Sequence, residues 1–468
     1  MKKQAFNPFL PSWEYIPDGE PHVFGDRVYL YGSHDYFRGH VYCLGDYVCW
    51  SAPVTDLSDW RCEGVIYRKE QDPRNKDGKM VLFAPDVVQG TDGRYYMYYI
   101  PNLSRIVSVA VCDTPAGKYE FYGFVRHEDG VPLGEREGDA PQFDPGVYRE
   151  GGHTYLYTGF CPAEDAVSAG ASVTVLGTDM VTITDEPKPV IPGARRARGT
   201  SFEKHPFFEA SSLRRRGATY YFIYSSIYNH EMCYATASDP LGPFTYRGVI
   251  VDNCDVGIDT YKAVGEKSAL HCNNHGSFTE INGKWYMFYH RPTNGTQFSR
   301  QACAEEIFFT GDGQIEQVEM TSCGLNGGPL KSGIFYDAYI ACNLWNIRPE
   351  FSDDERNRPM ISQDGKDGDE YPGYVCGMVD GATAGFKYFM CEGINAIDIQ
   401  ARGYMDGCFE VRTRPDGDVL ASVPITECNY WETFTAPCYI PDGIHAIYIT
   451  HSGGRTATLG GFRLYSRE

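Results

Sequence analysis

The sequence predicts an all-β protein. It reads as a five-bladed β-propeller over residues 1–322, a linker at 323–335 and an antiparallel, jelly-roll-like β-sandwich over 336–468. Three observations predict this. The composition favours short strands and turns, an aromatic strand pattern recurs five times, and the pattern changes character after about residue 323.

The 468 residues are too many for one ordinary domain and suit a large domain plus a smaller one. Hydrophobic residues make up 42%, enough for packed cores. The 35 Tyr and 26 Phe, with 51 Gly and 28 Pro, point to many short strands joined by turns.

The repeat organises the first two thirds. Five segments read as a polar turn followed by an aromatic strand: GDRVYLYGS, DGRYYMYYI, GGHTYLYTG, RGATYYFIYSS and NGKWYMFYH. Aligning them places Tyr29, Tyr96, Tyr155, Tyr221 and Tyr286 in register, with steps of 67, 59, 66 and 65 residues. A steady period with a strand pair in each unit is the mark of radial repetition, and five units predict five blades.

An ionisable residue precedes each of these tyrosines: Asp18, Asp86, Asp144, Glu209 and His275, at separations of 11, 10, 11, 12 and 11. In a propeller the first strand of each blade lines the central channel, so equivalent strand starts converge. Asp and Glu are common turn residues, but turn capping gives no reason for one register across five units. Four carboxylates and a histidine in one pocket cannot all stay ionised cheaply. Their pKa values are pushed apart, which is what general acid–base chemistry needs.

These residues resemble glycoside hydrolase family 43, the five-bladed propeller arabinofuranosidases, xylosidases and arabinanases, over roughly residues 6–322. The resemblance rests on NPFLP, GDRVYLYGSHD, APDVV with GRYYMYY, FDPGVY, FEASSL, and NHGSF with GKWYMFYH. It implies Asp18 as general base, Asp144 as the carboxylate that tunes the acid, and Glu209 as general acid, with inversion at the anomeric carbon. It implies a structural or substrate-contacting role for Asp86 and places Arg300 near the sugar. It assigns His275 to the channel axis, beside a water or a structural Ca2+ or other cation, with no cofactor required. Glu20 in the run Asp18-Gly19-Glu20-Pro21 is a rival base, and Glu203 a rival acid; the register favours Asp18 and Glu209. The long loop at 252–271 reads as shaping the pocket or a contact.

Beyond residue 323 come shorter alternating strands: INAIDIQARGY, GCFEVRTR, VLASVPI, YWETFTAP, HAIYITHS and ATLGGFRLYS. This region resembles a family 6 carbohydrate-binding module. Tyr430 and Trp431 could stack on a sugar, but the last strand lacks the polar residue that ligand-binding members place there, which favours a structural role.

The net charge of −20 argues against nucleic acid or anionic membrane as partner. No run of 18 apolar residues or signal-peptide pattern is visible, and the 16 Cys show no zinc spacing, so the expectation is a cytoplasmic protein with reduced thiols. The leading reading is exo-acting removal of a terminal arabinofuranosyl or xylosyl residue from a small oligosaccharide. Galactofuranosidase activity and a non-catalytic sugar-binding propeller are the rivals. A homo-oligomer is compatible with the sequence.

Overall fold

The computed structural model describes residues 4–162, 169–346 and 358–466. The chain is all-β. Up to residue 307 it forms five successive antiparallel sheets, four of four strands and a fifth of three. Each sheet is a meander whose strands pair in chain order. The five aromatic segments form their second strands: Arg27–Tyr31, Tyr95–Tyr99, His153–Thr158, Thr219–Ser226 and Lys284–Pro292.

Five apolar cores hold these sheets together, one between each neighbouring pair. Tyr31 and Cys49 meet Val87 and Met97 between sheets one and two. Tyr98 and Val109 meet Val147 and Leu156 between two and three. Tyr157 and Val173 meet Phe207 and Phe222 between three and four. Tyr221 and Ile223 meet Phe278 and Met287 between four and five. The circle closes where Phe288 and Ala302 of the fifth sheet pack on Val28, Leu30 and Trp50 of the first. Successive strand residues point to opposite faces, and here both faces of a sheet are covered. That is why the run Tyr220–Tyr224, YYFIY, is aromatic and apolar without alternation, and why the whole strand beyond Thr219 is buried.

The segment before the first sheet seals the ring. The Asn7 side chain donates to the Ala304 carbonyl at 2.8 Å and accepts from the Ala304 N–H at 2.9 Å. The Phe9 N–H donates to the Ala302 carbonyl. A parallel bridge links Gly19 to Gly276. The NPF motif thus docks along the last strand of the three-stranded fifth sheet.

Residues 323–335 carry a 3-10 turn at Gly324–Asn326 and the strand Leu330–Lys331, which pairs parallel with Thr383–Cys391. Beyond lie two six-stranded sheets. All six strands expected from the sequence form, at Ala396–Gly403, Cys408–Arg412, Ala421–Pro424, Cys428–Pro437, Gly443–Ser452 and Ala457–Tyr465. The two sheets share one apolar core, with Phe386 of one against Phe462 of the other at a ring separation of 4.7 Å. Thr383–Cys391 is a long central strand absent from the sequence reading. All sixteen cysteines are free thiols.

Candidate active site

The first strands of the five sheets are Glu20–Phe24, Asp86–Gln89, Gly146–Glu150, Phe207–Arg216 and Phe278–Ile281. Their pairing fixes which residues are equivalent. Opposite the five register tyrosines stand His22, Val88, Tyr148, Arg214 and Thr279. Four residues before three of these lie Asp18, Asp144 and His275. In the fourth sheet the ladder slips between Glu209 and Ser212, so Glu209 faces Ser225, four residues beyond Tyr221. This bulge absorbs the twelve-residue separation and returns Glu209 to the same level. In the second sheet the equivalent position is Ala84. Asp86 lies two residues deeper, level with Glu20, Gly146 and Ser277.

This level opens into a cavity of about 680 Å³, lined by Asp18, Ala84, Asp144, Glu209, His275 and Arg300 among others. The volume is typical of a small-molecule site. Asp86, Glu20 and Glu203 are not among its lining residues. Asp86 is fully buried: His22 Nε2 lies 2.6 Å from Oδ1, and the Val147 N–H donates to Oδ2 at 2.7 Å. Those contacts tie the first, second and third sheets together. Glu20 accepts from Arg214 at 2.5 Å and from Ser212 at 3.1 Å. Glu203 is exposed and accepts from the Gly199 N–H within a turn.

Asp18 sits among cations and donors from the fifth sheet. Arg300 donates to its Oδ1 at 2.9 Å. The Asp18 N–H donates to His290 Nδ1 at 3.1 Å, which leaves the His290 proton on Nε2, 2.9 Å from the Asn273 carbonyl. Burial raises the Asp18 pKa, but Arg300, with the charged His275 behind it, outweighs it and holds the carboxyl below its ordinary value. His290 is driven down to about 3, by burial and then by Arg300, so it stays neutral. Arg300 is fixed in turn by Asp35, whose two oxygens accept from Nε at 2.8 Å and Nη2 at 3.0 Å, a bidentate grip.

Glu209 has the opposite environment. Burial, then the neighbouring Asp144, raise its pKa well above the ordinary glutamate value. Asp144 Oδ2 accepts from the Ala210 N–H at 3.1 Å, within the bulge that carries Glu209. His275 lies between Asp144 Oδ2, 3.4 Å from its Nδ1, and Glu20 Oε1, 3.7 Å from its Nε2. Burial opposes its charge, yet Asp144 and Glu20 raise its pKa well above 6.5. Asp18, Asp144 and Ala210 all have positive φ, at 57°, 42° and 67°. Such conformations cost free energy in non-glycine residues and cluster at functional sites.

An arc of rings forms much of the remaining wall. Phe83 meets Phe143 at 5.5 Å, Phe143 meets Phe160 at 4.7 Å, and Phe160 meets Phe208 at 5.1 Å. His230 follows at 5.0 Å from Phe208, and His271 at 5.8 Å from His230. The sequence carries a signal for this arc: Phe83, Phe143 and Phe208 each immediately precede the cavity-level residue of their sheet. Asp35 and His290 carry no comparable signal, because only the pairing of distant segments brings them to Arg300 and Asp18.

The sequence model of glycosyl hydrolases family 43 matches residues 7–315. The chain belongs to that family. A xylosidase/arabinosidase of Thermoclostridium stercorarium is 58% identical over 99% of both chains. Among solved structures, a family 43 β-xylosidase/α-arabinofuranosidase from a compost microbial metagenome, bound to xylotriose in a calcium-free form, is 26% identical. It covers 68% of this chain and 98% of its own, with a TM-score of 0.52. An arabinoxylan arabinofuranohydrolase from Bacillus subtilis, in complex with cellotetraose, is 19% identical. It covers 98% of this family 43 chain and 97% of its own, also at a TM-score of 0.52, a likeness of fold alone. This family 43 chain is a glycosidase.

Proposed function

We propose that the enzyme removes terminal xylosyl or arabinofuranosyl residues from small oligosaccharides, with Asp18 as general base, Glu209 as general acid and Asp144 tuning the acid. One observation carries the assignment. Within a single cavity, surroundings of opposite character push one carboxyl toward its ionised form and the other toward its protonated form: Arg300 beside Asp18, and burial with Asp144 beside Glu209. Asp18 would take a proton from water attacking the anomeric carbon, while Glu209 gives its proton to the departing glycosidic oxygen. The sugar inverts, and the proton balance is restored through solvent. The negative charge of Asp144 keeps the proton on Glu209 until the leaving oxygen needs it. The substrate class is supported by the names of the relatives that match over the catalytic region. They give no support to galactofuranosidase action or to a non-catalytic propeller.

We read the five sheets as the five blades of a propeller over residues 1–322, and the later sheets as a carbohydrate-binding-module-like sandwich over 336–468. A structural role for the sandwich is favoured at Trp431, whose ring already carries Arg402 at 4.1 Å and packs on Tyr374 at 5.4 Å. His275, facing a carboxylate from each nitrogen, suits an imidazolium. A Ca2+ bound there would need the ring neutral, so the donor set fits a proton better than a metal. Sixteen free thiols support a reducing, cytoplasmic setting.

Aryl β-D-xylopyranosides and α-L-arabinofuranosides, tested with wild type and Glu209→Ala, check the assignment. The variant is expected to lose roughly 10²–10⁴ in kcat on unactivated oligosaccharides, and less with a good phenolate leaving group. NMR of the first-formed sugar is expected to show the inverted anomer. Unchanged turnover in the variant, or a retained anomer, sinks the mechanism.

A further inference from the structure

The cavity wall at His271, Cys272 and Asn273 ends the segment 252–271, which has no regular strand. Part of what holds this segment comes from the later sheets. Lys387, in the strand Thr383–Cys391, is fully buried, with its ammonium 3.0 Å from Asp255 Oδ2 and 3.2 Å from Glu319 Oε2. The same ammonium lies 4.0 Å from the centroid of the Tyr261 ring. The Tyr261 hydroxyl donates to Asp255 Oδ2 at 2.5 Å.

A second clamp comes from the strand Asn343–Trp345. The Asn343 amide donates to the Tyr261 hydroxyl and to Ser268 Oγ, each at 3.0 Å, and the Leu344 N–H donates to the Ser268 carbonyl at 2.8 Å. Ser268 lies three residues before His271. The His271 ring bonds the Asn229 carbonyl, next to the cavity residues Tyr228 and His230. A continuous set of bonds therefore runs from Lys387 through Asp255, Tyr261 and Ser268 to the wall of the cavity.

We propose that Lys387 is a positioning residue for the substrate pocket: from the later sheets it fixes segment 252–271, and so sets the wall against which the substrate binds. The proposal rests on the glycosidase site described above and adds a second determinant of its shape. The physical reason is that a buried carboxylate without its cation cannot stay ionised where it is. Removing Lys387 leaves Asp255 and Glu319 with only the Tyr261, Tyr388 and Thr260 hydroxyls and the Met320 N–H as donors. The pair must then either take up a proton or move apart, and either response loosens the segment. Asp18 is also gripped by Arg300, and Asp144 and Glu209 belong to the third and fourth sheets, so the chemical groups move less than the wall, whose Asn273 carbonyl is linked to Asp18 through His290.

The test compares wild type, Lys387→Met, the charge-balanced pair Lys387→Met/Asp255→Asn, and the milder Asn343→Ala. All are measured with xylotriose and with an aryl xyloside, alongside hydrogen exchange of amides 252–271. Lys387→Met is expected to raise KM for xylotriose at least fivefold with less than a twofold change in kcat, and to speed exchange in the segment. Its kcat pH profile should be unchanged. Asn343→Ala should move KM and exchange in the same direction by less, and it decides the matter if Lys387→Met does not fold. A KM within twofold of wild type in every folded variant, or unaltered exchange in 252–271, overturns the proposal. So does a loss confined to kcat. If wild type itself cleaves neither substrate, the xylosidase reading fails, and the exchange of 252–271 then decides the positioning proposal alone.

Discussion

Asp18 and Glu209 have their protons placed in opposite directions, and each can be tested separately. On the proposed mechanism the acid limb of the kcat/KM profile reports Asp18, because a general base works only when ionised. Replacing Arg300 by Met removes the main group that lowers its pKa. The acid limb is therefore expected to move to higher pH, with kcat reduced at every pH; an acid limb that stays put would show that Arg300 does not control the base. Glu209 offers a stability test. Its folded pKa is raised, so the unfolded chain loses its proton first as pH rises. The folded state is then penalised progressively from the unfolded value upward, through the folded value. Glu209→Gln removes that penalty. The variant is expected to melt higher than wild type at pH 7 and nearly level with it at pH 4, the reverse of what a lost packing contact would do. Calorimetry at the two pH values checks it.

Strand elements explain which parts of the site could be read from sequence. Counting back from the tyrosines located Asp18, Asp144 and His275, because in those sheets the hairpin carries no irregularity before the cavity. Counting cannot see a bulge. Glu209 stands twelve residues back and is level with the others only because the ladder slips. Asp86 stands ten back and belongs to the deeper layer with Glu20. A difference of one residue in the count hid a difference of one layer. Gly146, on the neighbouring first strand, makes the bulge sterically feasible: a Cβ there would lie 2.0 Å from the Ser211 carbonyl oxygen. Gly146→Ala must push that backbone, at a cost of roughly 1–3 kcal/mol. We expect melting to fall by several degrees and kcat to fall at least tenfold, since Glu209 rides on the displaced segment. A variant that melts lower but keeps wild-type kcat would uncouple the two.

At the scale of the molecule, the all-β character, the five-sheet repeat and the start of a second set of sheets were legible from periodicity and composition. The dependence between the two sets was not. Lys387 sits in TAGFKYFMC, where a lysine among apolar residues gives no hint that it is buried against Asp255. Ending the chain at residue 322 removes that cation from the buried Asp255 and the partly buried Glu319. Breaking such a pair costs about 3–5 kcal/mol, or roughly 4–7 °C in a chain of this size. The shortened chain is expected to melt lower by about that amount in a thermal scan, and a wild-type melting temperature would refute the dependence.

The contact between Asp18 and Arg300 spans 282 positions, from the segment that opens the ring to the strand that closes it. During synthesis the carboxylate emerges long before its guanidinium. Until residue 300 is in place, Asp18 is an ordinary solvated acid with an ordinary affinity for protons. On the proposed assignment the base therefore gains its Arg300 partner only when the last sheet meets the first, and turnover would report whether a given molecule has closed that contact.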